Sequence, residues 1–203
     1  MATRPEEPVD LKEACVLAAR EVIAERGVEQ LSLRDVARRL GVSHQAPYKH
    51  FASRDHLLAE VIRRCFDSFA THLDTRPPEP AAPADLAALG RRYLDYAAAH
   101  PLEYRLMFGT PWPQPAADAG LVQSAAHAFD VLRAVLRRLH GAGASQRATV
   151  DLDALFIWST MHGLASIMQA NVVQHLALAP EVGDEAGRHV MHMLSLAMAA
   201  RRH

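Results

Sequence analysis

Apolar residues recur along most of this chain at the spacing of helices, and no segment alternates like a strand. The first apolar stripe is Leu11, Cys15, Ala18 and Val22. Steps of three or four residues place these side chains on one helix face, and Gly27 is predicted to end that helix. A longer stripe with the same period predicts a helix from Asp55 to about Asp74. The pattern therefore indicates an all-α protein.

Two proline-rich segments divide the helical pattern. Residues 76–84 contain four prolines, and residues 109–120 contain three. Because proline ends helices, the first segment is the predicted boundary between a domain of residues 1–55, with a linking helix to about 75, and a domain of residues 76–203. Within the second domain the pattern predicts helices that begin near residues 85, 101, 121, 145 and 184.

Residues 32–58 contain two short predicted helices joined by a glycine turn. Ser32 is placed to cap the first helix, and Asp35, three positions later, completes a capping box. Gly41 is predicted to end that helix in the left-handed conformation, and Ser43 to cap the next one. This arrangement is typical of a helix-turn-helix, whose second helix enters the DNA major groove; the alternative is a plain helical hairpin.

The residues after this turn carry a resemblance to a known family. Tyr48-Lys49-His50-Phe51 resembles the Tyr-x-His-Phe run that ends the recognition helix in the tetracycline-repressor (TetR) family. The run from Ser53 to Leu58 is similar to the start of that family's linking helix. Pro47 lies inside the predicted recognition helix, and we expect a short, stiff helix there because little hydrogen bonding is lost in a first turn.

The resemblance covers roughly residues 10–70 and implies a complete architecture. It implies about nine helices: a three-helix helix-turn-helix DNA-binding domain, and a larger helical domain for ligand binding and dimerisation. It further implies a transcriptional regulator, most simply a repressor that binds a palindromic operator on double-stranded DNA as a homodimer. A small hydrophobic effector would release it.

A local basic surface supports DNA binding. The whole chain carries a net charge of −1, but residues 30–54 contain five basic side chains and one acid. Such a patch is the expected footprint of phosphate contacts. The predicted DNA-contacting residues are Arg34, Ser43, His44, Gln45, Ala46, Tyr48, Lys49 and His50. Ser43, His44, Gln45 and Tyr48 are assigned to base edges or nearby phosphates, and Arg34, Lys49 and His50 to the backbone.

The last two predicted helices are apolar on more than one side. In the first of them one stripe is Ile157, Met161, Leu164, Met168 and Val172, and a second stripe of small residues is Ser159, Gly163, Ser166 and Ala170. The final helix is apolar around most of its circumference from Val190 to Met198. Such helices must be buried on several faces, which predicts a homodimer that pairs these helices in a four-helix bundle. A thick core within one chain is the alternative.

The segment from Trp158 to Gly163 resembles the Trp–His–Gly (WHG-type) signature of one TetR subgroup. The candidate effector wall is Tyr93, Tyr96, Tyr104, Met107, Phe108, Trp112, Phe129, Trp158, Met161 and His162. This wall is aromatic, apolar and free of carboxylates, so we expect a neutral hydrophobic effector oriented by one or two hydrogen bonds. The simpler reading, which we favour for Trp158 and His162, makes them ordinary core residues.

Other functions have little support in the sequence. We find no nucleophile elbow, phosphate loop or zinc-protease motif, and we predict neither an enzyme nor a cofactor. His189 and His192 share a helix face, but no third metal ligand is suggested. Without a secretory segment or an apolar run of membrane-spanning length, a cytoplasmic protein without a membrane partner is expected. The alternative function is a helical DNA-binding regulator controlled by a partner protein or by a metal.

Overall fold

The computed structural model describes residues 10–74, 83–113, 119–140, 147–170 and 172–200, and all regular secondary structure within these ranges is helical. The α-helices are α1 (Leu11–Arg26), α2 (Leu33–Leu40), α3 (Arg54–Leu73), α4 (Pro83–Ala99), α5 (Pro101–Phe108), α6 (Ala119–His140), α7 (Arg147–Gln169) and α8 (Val182–Ala200). Short 3₁₀ helices occupy Val28–Gln30, Pro47–Lys49 and Val172–His175. The predicted all-α class is confirmed.

The chain divides into two compact units. The first unit takes in the described residues up to Phe66 and those from Leu106 to Ser124, and the second takes in those from Asp67 to Arg105 and from Ala125 onward. The domain bounds predicted from the sequence, 1–55 and 76–203, stay a prediction. Most of the proline-rich segment on which that boundary depends lies outside the described residues.

The core of the first unit is built from α1, α2 and the first part of α3. Its buried side chains include Cys15, Val16, Val22, Ile23, Val36, Leu57, Val61 and Ile62. These positions follow the helical stripes of the sequence, because each helix buries one face and leaves the other to solvent. Both cysteines are free thiols, and both are buried.

In the second unit α4 packs against α7 and α8. The helices α4 and α8 approach closely at Gly90, where a Cβ atom would lie 2.1 Å from the Met191 sulfur. Near the other end of α4, the side-chain amide of Gln169 donates to the Ala97 carbonyl over 2.7 Å. The core includes Leu86, Leu89, Tyr96, Leu136, Ala154, Ile157, Met191 and Leu194.

The helix predicted to run from about Ser145 to Leu178 is shorter in the structure. It ends at Gln169, and residues 172–175 form a separate 3₁₀ helix. The predicted start at Ser145 lies outside the described residues. None of the helices in the described part of the chain has the length and apolar character needed to span a bilayer.

Candidate DNA interface and effector site

The helix α2 is capped at both ends, by Ser32 and Gly41, as the sequence predicts. The predicted capping box is formed only in part, because the Asp35 carboxylate accepts from the Ser32 hydroxyl and not from the Ser32 N–H. The Asp35 N–H donates to the Ser32 hydroxyl oxygen over 3.1 Å, and the Ser32 hydroxyl donates to the Asp35 carboxylate over 2.5 Å. This bond, together with the nearby Arg38 guanidinium, lowers the pKa of Asp35. Gly41 ends the helix with a left-handed φ of 66°, and its N–H donates back to the Arg38 carbonyl. Capping at both ends fixes the exit direction of the chain toward residue 43.

The segment that follows is not the α-helix capped by Ser43 that the sequence predicts. It is a turn followed by the 3₁₀ helix Pro47–Lys49, with Ala46 at the N-cap. In an α-helix the N–H of residue 47 would donate to the Ser43 carbonyl, but proline has no N–H. The Ala46 N–H donates to the Ser43 carbonyl instead, over 2.9 Å. A bond between residues three positions apart gives a tighter turn than that of an α-helix. The described residues therefore contain eight α-helices where about nine were expected.

The predicted DNA-contacting side chains lie together on the solvent side of this segment and of α2. Ser43, His44, Gln45, Tyr48, Lys49, His50 and Arg34 are exposed, and Ala46 is half-buried. Pro47 and Phe51, by contrast, are buried and anchor this segment within the first unit. The Tyr48 ring keeps 51% of its surface exposed, which is unusual for an aromatic side chain of a folded unit. Residues 43–50 form what we call the recognition segment.

Three of the five basic side chains in this region have partners within the protein. Arg38 pairs with Asp35 on its own helix over 2.8 Å, and the other two are Arg39 and Arg54. The Arg39 guanidinium forms ion pairs with Glu21 and Glu25 on α1. The Arg54 guanidinium donates to two backbone carbonyls, that of Leu31 over 3.0 Å and that of Val28 over 2.8 Å. The count of basic residues in the sequence therefore overstates the charge available to phosphates, because carboxylates and carbonyls of the same unit lie beside these three side chains.

Arg54 is expected to be a positioning residue for the helix-turn-helix. Arg54→Ala removes charge-assisted bonds to two carbonyls and should lower the free energy of unfolding by about 1–3 kcal/mol. Arg54→Lys should recover part of that loss, since an ammonium cannot reproduce the guanidinium fork. Urea unfolding measures both, with the exposed Arg34→Ala as the matched control. Equal stability of the Arg54→Ala and Arg34→Ala proteins would contradict this role.

A continuous cluster of aromatic rings occupies the second unit. In order along the cluster the rings are Phe69, Tyr93, Tyr104, His162, Trp158 and Phe129. The distances between the centroids of successive rings are 5.3, 6.0, 5.7, 6.2 and 5.5 Å. The rings come from α3, α4, α5, α6 and α7. We call the polar members Tyr93, Tyr104 and His162 the Tyr–Tyr–His cluster.

The Tyr–Tyr–His cluster is hydrogen-bonded internally. The Tyr104 hydroxyl lies 2.6 Å from His162 Nδ1, and the Tyr93 hydroxyl lies 2.9 Å from that of Tyr104. Burial raises the pKa of both phenols and lowers the pKa of His162. All three side chains are therefore uncharged near neutral pH, and the short bond between Tyr104 and His162 joins two neutral groups.

The structure divides the predicted effector wall between the two units. Tyr93, Tyr96, Tyr104, Phe129, Trp158, Met161 and His162 belong to the second unit. Met107, Phe108 and Trp112 belong to the first, where Phe66 contacts the Phe108 and Trp112 rings at 5.6 and 5.7 Å. Sequence reasoning missed Ser166, whose hydroxyl lies 3.5 Å from His162 Nε2. Its position four residues after His162 on α7 is the signal that could have found it.

The described part of the chain contains no group of three or more His, Cys, Asp or Glu side chains placed to hold a metal ion. A capped helix, a glycine turn and an exposed basic segment, followed by a helical second unit, define the class of helix-turn-helix transcription regulators.

Comparison with known families identifies the family within that class. The model described as bacterial regulatory proteins of the tetR family matches residues 16–61. The model described as the tetracyclin repressor-like C-terminal domain matches residues 86–200. The chain belongs to the TetR family.

Curated relatives are transcription regulators that share part of the chain. The HTH-type transcriptional regulator Rv1816 of Mycobacterium tuberculosis is 29% identical over 117 residues, which cover 54% of this chain and 50% of that protein. The HTH-type transcriptional repressor Rv3405c of the same organism is 38% identical over 73 residues, 36% of each chain. The chain therefore aligns with half or less of the length of these relatives.

Solved structures match over nearly the whole chain. The regulatory protein SCO4313 is 27% identical with a TM-score of 0.74, and covers 95% of this chain and 98% of its own. A Rhodococcus protein described as of unknown function is 28% identical with a TM-score of 0.72. The match covers 95% of this chain and 100% of the Rhodococcus chain. A TetR variant from Acinetobacter baumannii, crystallised with minocycline, is 17% identical with a TM-score of 0.62. The match covers 95% of this chain and 98% of that chain, and at this identity it shows only that the fold is shared.

Proposed function

We propose that this protein is a ligand-responsive repressor that binds a palindromic operator as a homodimer and is released by a small hydrophobic molecule. The observation that carries the DNA-binding part is the recognition segment, which presents its polar side chains to solvent while Pro47 and Phe51 are buried beneath it. An exposed polar segment that follows a capped helix and a glycine turn is the part of a helix-turn-helix that enters the major groove. The protein acts as a regulator in the cytoplasm, where operator DNA lies, and not as an enzyme.

The side chains of the recognition segment divide into two roles. Ser43, His44, Gln45 and Tyr48 reach base edges or the phosphates next to them. Arg34, Lys49 and His50 contact the backbone, where the two permanent cations neutralise phosphate charge. Since Arg39 and Arg54 are bound within the protein, phosphate contacts per protomer are few. We expect a correspondingly moderate dependence of operator affinity on salt.

Gln45→Ala and Lys49→Ala should weaken DNA binding in different ways. Loss of the Gln45 amide should cost about 1–3 kcal/mol on the preferred sequence and relax the preference at one base position. Loss of the Lys49 ammonium should weaken binding to all duplexes alike and flatten the salt dependence. Operator selection from random DNA, followed by fluorescence anisotropy at several salt concentrations, measures both effects.

Matched controls for these variants exist in the same unit. Gln30→Ala and Lys12→Ala remove the same chemical groups from exposed positions outside the recognition segment. They should bind operator and random duplex as the parent does. If the Gln45→Ala and Lys49→Ala proteins also bound like the parent, the assignment of residues 43–50 to the DNA groove would be wrong.

An exposed apolar face of α7 supports the homodimer. Its large side chains, each between 43 and 61% exposed in the single chain, are Leu152, Leu155, Phe156, Ile167 and Met168, and α8 adds Met193 and Leu196. A Cβ atom built on Gly163, in the middle of this face, would meet no described atom within 4 Å beyond its chain neighbours and the nearby backbone of α7. We propose that a second copy packs its α7 and α8 against this face, with Ser159 and Gly163 allowing close approach. Patches of this kind are rare on monomers.

The effector part of the proposal is supported by the second unit. Its C-terminal family match covers Trp158, His162 and Gly163, and we assign the chain to the subgroup with the Trp–His–Gly signature. The Acinetobacter baumannii TetR variant, which has a related fold and was crystallised with minocycline, is an example of a TetR protein with an organic ligand. The proposed effector is neutral and largely hydrophobic, since the cluster that would orient it is uncharged.

A further inference from the structure

We propose that two copies of the chain together bind one zinc ion through His189 and His192 of α8, and that this ion stabilises the dimer. Each copy supplies two imidazoles, so the site is complete only when the second copy is in place. The inference rests on the proposed function in one respect, the pairing of α7 and α8 with those of a second copy. Zinc would then regulate how much of the protein is in the DNA-binding dimeric form.

The two histidines lie on the side of α8 that faces away from its own chain. The buried side of this helix carries Met191 and Leu194, and Gly90 of α4 lies against Met191. His189 and His192 are exposed on the other side. Residues three apart in a helix are neighbours, with Cβ atoms about 5–6 Å apart, so both imidazoles can reach one ion.

Contacts with α4 show that α7 and α8 run in opposite directions. Along α7 the residue number rises with that of α4, since the hydrogen-bonded pairs are Tyr93 with His162 and Ala97 with Gln169. Along α8 it falls, since the close pairs are Gly90 with Met191 and Leu94 with Gly187. His189 is therefore level with about Gly163 of α7, and His192, one turn further, with about Ser159.

The middle of the exposed face thus combines small residues of α7 with the histidines of α8. The large exposed side chains of α7 lie before and after this level, within residues 152–156 and at residues 167–168. The two-fold axis of a homodimer passes through the centre of the shared surface, where a residue meets its own counterpart. Because Ser159 and Gly163 permit the closest approach, the axis lies at their level, and the four imidazoles converge beside it.

Four imidazole nitrogens form a suitable ligand set for zinc. Zn²⁺ takes nitrogen ligands in a tetrahedral arrangement at about 2.0–2.1 Å. In the described part of the chain no group of three or more His, Cys, Asp or Glu is placed to hold a metal, so one copy offers only the pair. The charged residues just before the pair, Glu185 and Arg188, bind each other over 3.4 Å. An apolar interface would leave imidazole nitrogens without partners, a cost that ligation removes.

The association of the untagged full chain should depend on zinc. Sedimentation equilibrium measures the dissociation constant of the dimer, once with EDTA and once with zinc chloride buffered by a chelator. At free zinc about 100 times the dissociation constant of the site, the dimer should dissociate about 100-fold less readily, because the complete site exists only in the dimer. Calorimetric titration should give one ion for two chains. Magnesium, which prefers oxygen ligands, should have no effect.

Substitutions connect the effect to the two histidines. His189→Asn and His192→Asn each remove two of the four ligands of the dimer, and each should abolish the response to zinc without changing association in EDTA. His127→Asn, at an exposed position of α6, is the matched control and should respond as the parent does. Cobalt in place of zinc should give the strong visible absorption of a tetrahedral ion in the parent and in the control, but not in the two variants.

The measurement in EDTA separates this inference from the proposed homodimer. If the parent is dimeric in EDTA, the homodimer stands. The zinc inference is then overturned if zinc leaves the dissociation constant unchanged, if each chain binds its own ion, or if the two variants still respond. A parent that is monomeric both in EDTA and in zinc overturns the homodimer and the inference together. Tightening by zinc that both variants lose supports the inference even if no operator is bound, in which case the repressor function is the part that fails.

Discussion

Phe156→Glu is expected to convert the dimer into monomers at micromolar concentration. Phe156 is 47% exposed and lies on the apolar face of α7 that we assign to the second copy. By symmetry one substitution places two unpaired carboxylates in the interface, each at a cost of about 3 kcal/mol or more, so the dissociation constant should rise more than about 100-fold. Light scattering measures the mass, and operator affinity should fall with it because a palindrome requires both recognition segments.

Two other substitutions control for that result. Leu17→Glu introduces the same charge at a leucine that is 48% exposed on α1, and should leave both mass and DNA binding unchanged. Leu194→Glu tests the core instead. Leu194 lies in the apolar stretch from Val190 to Met198 that the sequence predicts to pair with a second copy. It is 2% exposed within the single chain, so its substitution should unfold the protein. A parent protein that scatters as a monomer, or a Phe156→Glu protein of unchanged mass, would contradict the proposed interface.

Glu60→Gln is expected to cause a large loss of stability in the first unit. The Glu60 carboxylate on α3 is buried, and it accepts a bidentate pair of bonds from Arg63, both of 2.8 Å, and one of 2.9 Å from Arg64. Arg64 continues the network to Glu13 on α1. The bonds from Arg63, followed by those from Arg64, lower the pKa of Glu60 to about 2. This shift corresponds to roughly 3 kcal/mol of folding free energy.

The lowered pKa fixes the pH range in which this contribution disappears. Unfolded, Glu60 has a pKa of about 4.5, so the folded state holds its proton less tightly and gains stability from ionisation. That gain is complete above pH 4.5 and is lost as the pH falls toward 2. Urea unfolding between neutral pH and pH 2 should therefore show a steeper acid loss in the parent than in Glu60→Gln.

The matched control for Glu60 is a carboxylate that also pairs with an arginine but lies in solvent. Glu25 on α1 is exposed, and its hydrogen bond with Arg39 lowers its pKa. Glu25→Gln should change stability far less than Glu60→Gln, since water screens an exposed pair. Equal effects of the two substitutions, or an acid profile that Glu60→Gln leaves unaltered, would show that the buried pair does not stabilise the fold as inferred.

Local signals in the sequence were sufficient for much of the DNA-binding unit. Ser32 and Gly41 occupy the caps predicted for them because capping depends on residues a few positions apart. The helical class also followed from local periodicity, since a helix shows its buried face within one or two turns. The recognition segment is the exception. Pro47 was noticed, but in place of a stiff α-helix the segment is a turn followed by a short 3₁₀ helix, because the proline lacks an N–H.

Contacts between residues far apart in the chain could not be predicted from local sequence patterns. Nothing near Arg39 or Arg54 in the sequence indicated that α1 carboxylates and the carbonyls of residues 28 and 31 would bind them. The Tyr–Tyr–His cluster joins residues 11 and 58 positions apart, so its ring types were foreseen but its hydrogen bonds were not. Burial of Leu194 and exposure of Leu196 likewise depend on which face of α8 meets α4.

The sequence alone thus determined most of the helices, the caps of α2 and the family, because each depends on neighbouring residues or on an ordered run such as Tyr48 to Phe51. The tertiary structure decided which basic side chains are paired within the protein, which polar groups of the Tyr–Tyr–His cluster bond to one another, and which apolar side chains remain exposed in the single chain. Those properties depend on the distance between groups far apart in the chain, and only packing of the helices sets that distance.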